Sequence, residues 1–154
     1  MKEIPMTASL LARVMVTSVS AGQGITAVFI DLNRTHATNP LWIGHARFHV
    51  VQQTFASLAA AIVEVVLLWA IAPGARLLFY LATLLTALPM FAFLIAMLSR
   101  SLYGGTLHDP NGMRPIRIRI GSRVRAVDMN IVLVVVGIAV LLIAVMIFQL
   151  GIGT

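Results

Sequence analysis

Three long apolar runs dominate the chain, Phe55 to Ala72, Leu77 to Leu98 and Ile131 to Leu150. Each is close to the ~20 residues that a helix needs to cross ~30 Å of hydrocarbon. A fourth run, Val14 to Ile30, is weaker because it carries Ser18, Ser20, Gln23 and Thr26. It still reads as a span, since the small pairs Ser18/Gly22 and Ser20/Gly24 would let helix backbones approach closely inside a bilayer. The pattern predicts spans over residues 10–30, 49–72, 77–99 and 129–150 in one domain, 1–154. The expected fold is an all-α integral membrane protein, an antiparallel up-down bundle of four transmembrane helices. Arg13 and Glu3 interrupt the short apolar segment expected of a secretory signal, so the first span is expected to stay in the protein.

Between spans three and four the period changes from helical to two. "PIRIRIGSRVRAV" alternates apolar and basic residues on both sides of Gly121-Ser122, which predicts a short basic β-hairpin with a two-residue turn. Its arginines would share one face and its isoleucines and valines the other, so the 114–125 segment could lie apolar side down with the basic side toward anionic headgroups. No aromatic residues that could stack on bases are interleaved with these arginines, so nucleic acid is not expected as a partner.

Composition agrees with a membrane class: of 154 residues, 60% are hydrophobic and 10% charged, with a mean hydropathy of +0.98. Soluble domains carry about a quarter charged residues. The net charge of +6 is unevenly placed. An up-down path brings Arg34, Arg47, Arg100, Arg114, Arg117, Arg119, Arg123 and Arg125 to one membrane face, against Lys2, Arg13 and Arg76 on the other. The excess of positive charge predicts a multi-pass protein of a plasma or inner membrane, with both long loops in the cytoplasm. There is no cysteine, so disulfides and thiolate metal sites are excluded.

Candidate chemistry gathers at the loop-side helix ends. Asp31 and Asn33 close span one, His45, Arg47, His49, Gln52 and Gln53 open span two, Arg100 and Tyr103 follow span three, and Asp128 and Asn130 open span four. His45 and His49 are four apart and would share a helix face. Neutral imidazoles at that spacing can hold non-haem iron or zinc, with Asp31 or Asp128 completing the site. Either imidazole alone could ligate haem iron in a cleft between helices. The plainer expectation is a wet helix end, with Trp42 at headgroup level and no cofactor. His36 and His108 read as structural or solvated loop residues. Glu64 would lie about 22 Å along the helix from His49, too far to join that site. It reads as a protonated acid bonded to a neighbouring helix. Pro89 would kink span three. Nucleotide-binding glycine patterns and serine nucleophile motifs are absent from the sequence.

The string Asp31, Asn33, Thr35-His36, Asn39-Pro40, Trp42, His45-Ala46-Arg47-Phe48-His49, with "YGGTLHDPN" after span three, resembles a family of small four-helix membrane proteins of uncharacterised activity. A fainter resemblance is to styrene oxide isomerase, in which an Ala-Arg-x-His string opens the second helix. The matching positions here are Ala46-Arg47-Phe48-His49, Tyr103 and Pro110-Asn111. The isomerase's helix-two asparagine falls on Phe55, and the basic hairpin has no counterpart there. That resemblance implies haem b held by His49 between subunits of a homo-oligomer. Tyr103 or Gln53 would orient a small apolar epoxide, and Asp31 or Asp128 would hold His45 or Arg47. Two other classes stay open: a non-catalytic membrane subunit or lipid-binding module, and a non-haem metal enzyme using His45 and His49.

Overall fold

The computed structural model describes residues 6–70, 75–107 and 115–153. Its elements are four long helices, α1 (Met6–Asp31), α2 (Gly44–Trp69), α3 (Arg76–Ser99) and α4 (Met129–Gly153), and a hairpin of β1 (Ile116–Ile120) and β2 (Arg123–Val127). A short 3-10 turn, Arg100–Leu102, extends α3. All four helices are long and apolar enough to cross a membrane. Helix α2 begins at Gly44, five residues before the expected start of its span, and so takes His45 and Arg47 into the helix with His49. Pro40, four residues before that start, is compatible with it, because proline restricts only the residues around itself. Pro89 is accommodated within a continuous α3.

Each helix packs antiparallel against its neighbour in sequence, and α4 closes the ring on α1. The core is small and consists of Ala12, Val16, Leu68, Phe79, Ala82, Met90, Leu141, Ala144 and Phe148. Phe79 and Phe148 stack with centroids 3.9 Å apart, joining the start of α3 to the end of α4. Far more apolar surface faces outward. Leu77, Leu98, Phe29 and Leu150 are each more than 70% exposed, a pattern that suits lipid and would be an aggregation liability in water.

Of the two small pairs in α1, one makes a helix contact. A Cβ on Gly24 would sit 2.9 Å from Ala61 Cβ, and Ser20 is fully buried with its hydroxyl 3.5 Å from the Ala61 carbonyl. Gly22 has nothing within 4 Å, and the Ser18 hydroxyl bonds back to the Val14 carbonyl at 2.8 Å. Positions two apart are ~200° apart around a helix, so both pairs cannot face the same neighbour.

The hairpin forms where the alternation places it, turning at Gly121 with φ +61, the left-handed conformation a primed turn needs at its first central residue. Its faces, however, differ from the expectation. The register pairs Arg117 with Ala126, Ile118 with Arg125 and Arg119 with Val124, and directly opposed residues share a face. Arg117 and Arg119 therefore lie with Val124 and Ala126, while Arg123 and Arg125 lie with Ile116 and Ile118. A two-residue turn pairs odd positions with even ones, and all four arginines are odd. No arginine opposes another, which avoids a like-charge penalty, but a flat raft with one basic and one apolar side is ruled out.

Candidate functional site

The loop after α1 is built by its own side chains. Asn33 donates to the Phe29 carbonyl at 2.7 Å and accepts from Thr35 N at 2.8 Å. The Thr35 hydroxyl contacts Asn33 Oδ1, the Ile30 carbonyl and His36 Nδ1. Asn39 is fully buried, donating to the Thr35 carbonyl and accepting from Leu41 N, each at 3.0 Å. His36 stands edge-on to Trp42 at 5.2 Å and 3.8 Å from Asp31 Oδ1. Asp31 also interacts with the hydroxyl of the fully buried Thr54 on α2. The Asp-x-Asn…Thr-His…Asn-Pro-x-Trp string is thus accounted for as the scaffold of this loop, and His36 is structural.

The scaffold delivers the chain to Gly44 and leaves His45 and His49 exposed on the outer side of α2. Their Nε2 atoms lie 3.0 Å apart, with the rings edge-on at 4.4 Å. One of the two must donate and the other accept. The Phe48 ring stands 5.7 Å from His49. Gln52 and Gln53, two turns into α2, are exposed on the same flank, followed by Phe55 and Ala56. The polar belt at this end therefore points away from the bundle.

Other candidates are spread around the same end without meeting. Asp128 caps α4, its carboxylate accepting from Asn130 N at 2.9 Å. Tyr103 donates to the Ala96 carbonyl at 2.8 Å and lines a small pocket of about 140 Å³ with Phe93, Met97, Arg100 and Leu107, built from α3 and the segment after it. Arg100 donates to the Met97 carbonyl at 2.7 Å. Arg47 is half-buried, with a buried Nε that has no hydrogen-bond partner. Among the described residues no three His, Asp or Glu side chains converge, and no carboxylate is paired with His45 or His49. His108, Pro110, Asn111 and Arg114 lie outside the described residues.

Two polar clusters sit nearer the opposite end, one around Arg13 that was not anticipated from the sequence and one in which Glu64 bonds a neighbouring helix as expected. Arg13 is buried and donates to the Leu68 carbonyl at 2.8 Å, with its guanidinium 5.9 Å from the Trp69 ring centroid. The Trp69 indole donates to the Thr17 hydroxyl at 2.8 Å. A cation at the last turn of α2 meets its free carbonyls and the negative end of its dipole. The second cluster joins Glu64, 3% exposed, to Thr86 and Gln23 on two other helices. Glu64 was conspicuous as an acid in an apolar run, whereas Thr86 carried no signal beyond lying three residues before Pro89.

Architecture and site together define a class, a bundle of four helices long and apolar enough to cross a membrane, with an open imidazole pair at its loop end. No known protein family, curated protein or solved structure matches the chain. Its function has to be read from these residues.

Proposed function

We propose that the chain is a multi-pass membrane protein that holds an iron centre on the imidazoles at the loop-side end of α2, as haem b on His49, and rearranges small apolar epoxides. The supporting observation is the exposed His45–His49 pair, its Nε2 atoms 3.0 Å apart and unpaired with any carboxylate among the described residues. The surroundings suit a large apolar group: Phe48, Phe55, Leu41 and Ile43 are all more than half exposed near this end of α2. Haem held there supplies an iron Lewis acid that polarises an epoxide oxygen and permits conversion to a carbonyl compound without net redox change. His49, deeper in the helix, is the ligand. Because His49 Nε2 is engaged with His45 Nε2 at 3.0 Å, the iron would take the other ring nitrogen of His49 while His45 steadies the ring, and Gln53, one turn further in, would orient the substrate. Membrane burial brings apolar epoxide to the site and keeps water from the developing charge.

One distance favours a second reading. With metal–nitrogen bonds of about 2.05 Å, a 3.0 Å separation gives a nitrogen–metal–nitrogen angle of about 94°. That suits two cis positions of an octahedral non-haem iron held by both imidazoles, with water or a second copy of the chain supplying the rest, and is narrower than the tetrahedral angle that zinc prefers.

An absorption spectrum and elemental analysis of detergent-purified protein separate these readings. Haem gives a Soret band that His49→Ala abolishes and His45→Ala only shifts or weakens. A metal without a Soret band, lost equally in both variants, favours the clamp. A parent protein that is colourless and metal-free sinks both and leaves a non-catalytic membrane subunit. Orientation follows the arginine excess: cysteines at positions 36 and 117 should be shielded from an impermeant reagent outside intact cells, and a cysteine at 76 labelled. The reverse pattern would overturn a cytoplasmic loop face.

A further inference from the structure

Glu64 has no part in the imidazole site, which lies about 22 Å away along α2, yet its surroundings are well defined. Thr86 Oγ1 lies 2.9 Å from Glu64 Oε2 and 2.9 Å from the Ala82 carbonyl. A hydroxyl has one hydrogen to give, so it serves one of these two contacts at a time. A neutral carboxyl can donate to Thr86 Oγ1 while the Thr86 hydroxyl donates to Ala82, and a carboxylate can accept from that hydroxyl while Ala82 keeps its helical N–H, so the arrangement accommodates either charge state. Gln23 of α1 donates to the Thr86 carbonyl at 3.2 Å and holds this turn of α3 in place.

The same carboxyl helps to wall a groove of about 440 Å³ between α2 and α3, together with Ala60, Val63, Leu85, Leu88, Pro89 and Ala92. Val63 and Leu88 are about half exposed on the outer surface, so the groove opens sideways, toward bilayer rather than toward either end. Pro89, which has no N–H to give to the Leu85 carbonyl, lines the groove together with Leu85. The volume falls in the range of small-molecule sites. Arg13, the other buried ionisable group on this half of the bundle, is turned to the Leu68 carbonyl. Among the described residues no cation is paired with Glu64. A positive charge that would stabilise the ionised form of this carboxyl would therefore come from an occupant.

We propose that the α2–α3 groove is a bilayer-facing binding site for an apolar amine, anchored by Glu64. On binding, the Glu64 proton moves to the amine nitrogen: an O–H bond breaks, an N–H bond forms, and no electrons leave or enter. The carboxylate then accepts from the ammonium and from the Thr86 hydroxyl, while Ala82 keeps its helical bond from Thr86 N. A second ammonium N–H faces the Leu85 carbonyl, and the alkyl chain lies against Ala60, Val63, Leu88 and Ala92. The site is independent of the iron reading.

The full chain in nanodiscs of uncharged lipid, treated with dicyclohexylcarbodiimide, provides the test, since this reagent attacks protonated carboxyls in apolar surroundings. Peptide mapping by mass spectrometry should find the adduct on Glu64. Dodecylamine should slow that modification about fivefold, as expected for a ligand present at about four times its dissociation constant, whereas dodecanol should change it less than about twofold. Radiolabelled dodecylamine retained by the nanodiscs should fall to the level of empty discs for Glu64→Gln, a variant that keeps a hydrogen-bond partner for Thr86. An unmodified Glu64, equal protection by dodecanol, or wild-type amine retention by folded Glu64→Gln would each overturn the proposal. If Glu64→Gln does not fold, the two protection experiments on the unaltered chain decide.

Discussion

The two ends of the bundle treat polar side chains in opposite ways. At the short-turn end Trp69 is spent on Thr17 and Arg13 on the Leu68 carbonyl, joining α1 to α2 with Arg13 Nε left buried and unpartnered, and the Phe79–Phe148 stack closes α3 on α4. At the loop end the buried polar groups, Asn39 and Thr54, serve the loop scaffold and the helix backbone. The imidazoles of His45 and His49 and the arginines of the hairpin are left on the surface. Groups of the first kind lower the energy of the fold, because an unmet carbonyl in hydrocarbon is costly. Groups of the second kind stabilise little in the free chain, and that leaves them available for a ligand.

The sharpest way to break this contrast is to remove Arg13. Arg13→Ala should destabilise the bundle by about 1.5–3 kcal/mol, the range for a hydrogen bond to a charged group. Unfolding in mild detergent, followed by circular dichroism, measures it, and a loss within error would mean that the short-turn end is not a lock. Gly24→Val, which places methyl groups against Ala61, should cost about 1–3 kcal/mol. Gly22→Val, with open space around it, should stay within about 0.5 kcal/mol. Equal effects of the two glycine changes would contradict the α1–α2 packing.

The hairpin separates the two ends on a smaller scale. Its arginines lie on both faces, so replacing Arg117 and Arg119 by glutamine should weaken binding to anionic vesicles as much as replacing Arg123 and Arg125, by about 1 kcal/mol per arginine. A vesicle-sedimentation series in which one pair carries nearly the whole effect would mean that the hairpin presents a single face to the headgroups. The smallest expected effect is at the imidazoles. His45→Ala and His49→Ala should each change unfolding of the cofactor-free protein by less than about 0.5 kcal/mol, as for exposed positions generally. A large loss at either would make that ring a structural partner and remove the basis for a binding site there.

Four helices and the hairpin were legible in the chain because each has a strong period: long apolar runs for the helices, and alternation about Gly121-Ser122 for the strands. The start of α2 was not, since His45, Arg47 and Gly44 interrupt the apolar run that marks the rest of the helix. The face pattern of the hairpin was partly legible. Alternation along one strand is a local property, but which residues share a face across two strands depends on register, and the parity of a two-residue turn scatters the arginines.

The candidate site shows the same division. Polar residues at the loop-side ends of all four helices follow from span lengths and an up-down path, and so does the separation of Glu64 from His49. Helix phase alone places His45 beside His49. Whether Asp31 turns toward the imidazoles or toward His36 and Thr54, and whether Asp128 reaches inward or caps α4, depends on rotations of whole helices about their axes. Those rotations are chosen by contacts such as Gly24 against Ala61 and Phe79 against Phe148. Hydropathy determined by itself that the chain has four helices able to span a bilayer, because burying apolar length is a property of each segment alone. Only tertiary packing decided which polar groups are spent inside the bundle and which remain outside it, because a hydrogen bond between helices needs both partners at one depth and on facing sides.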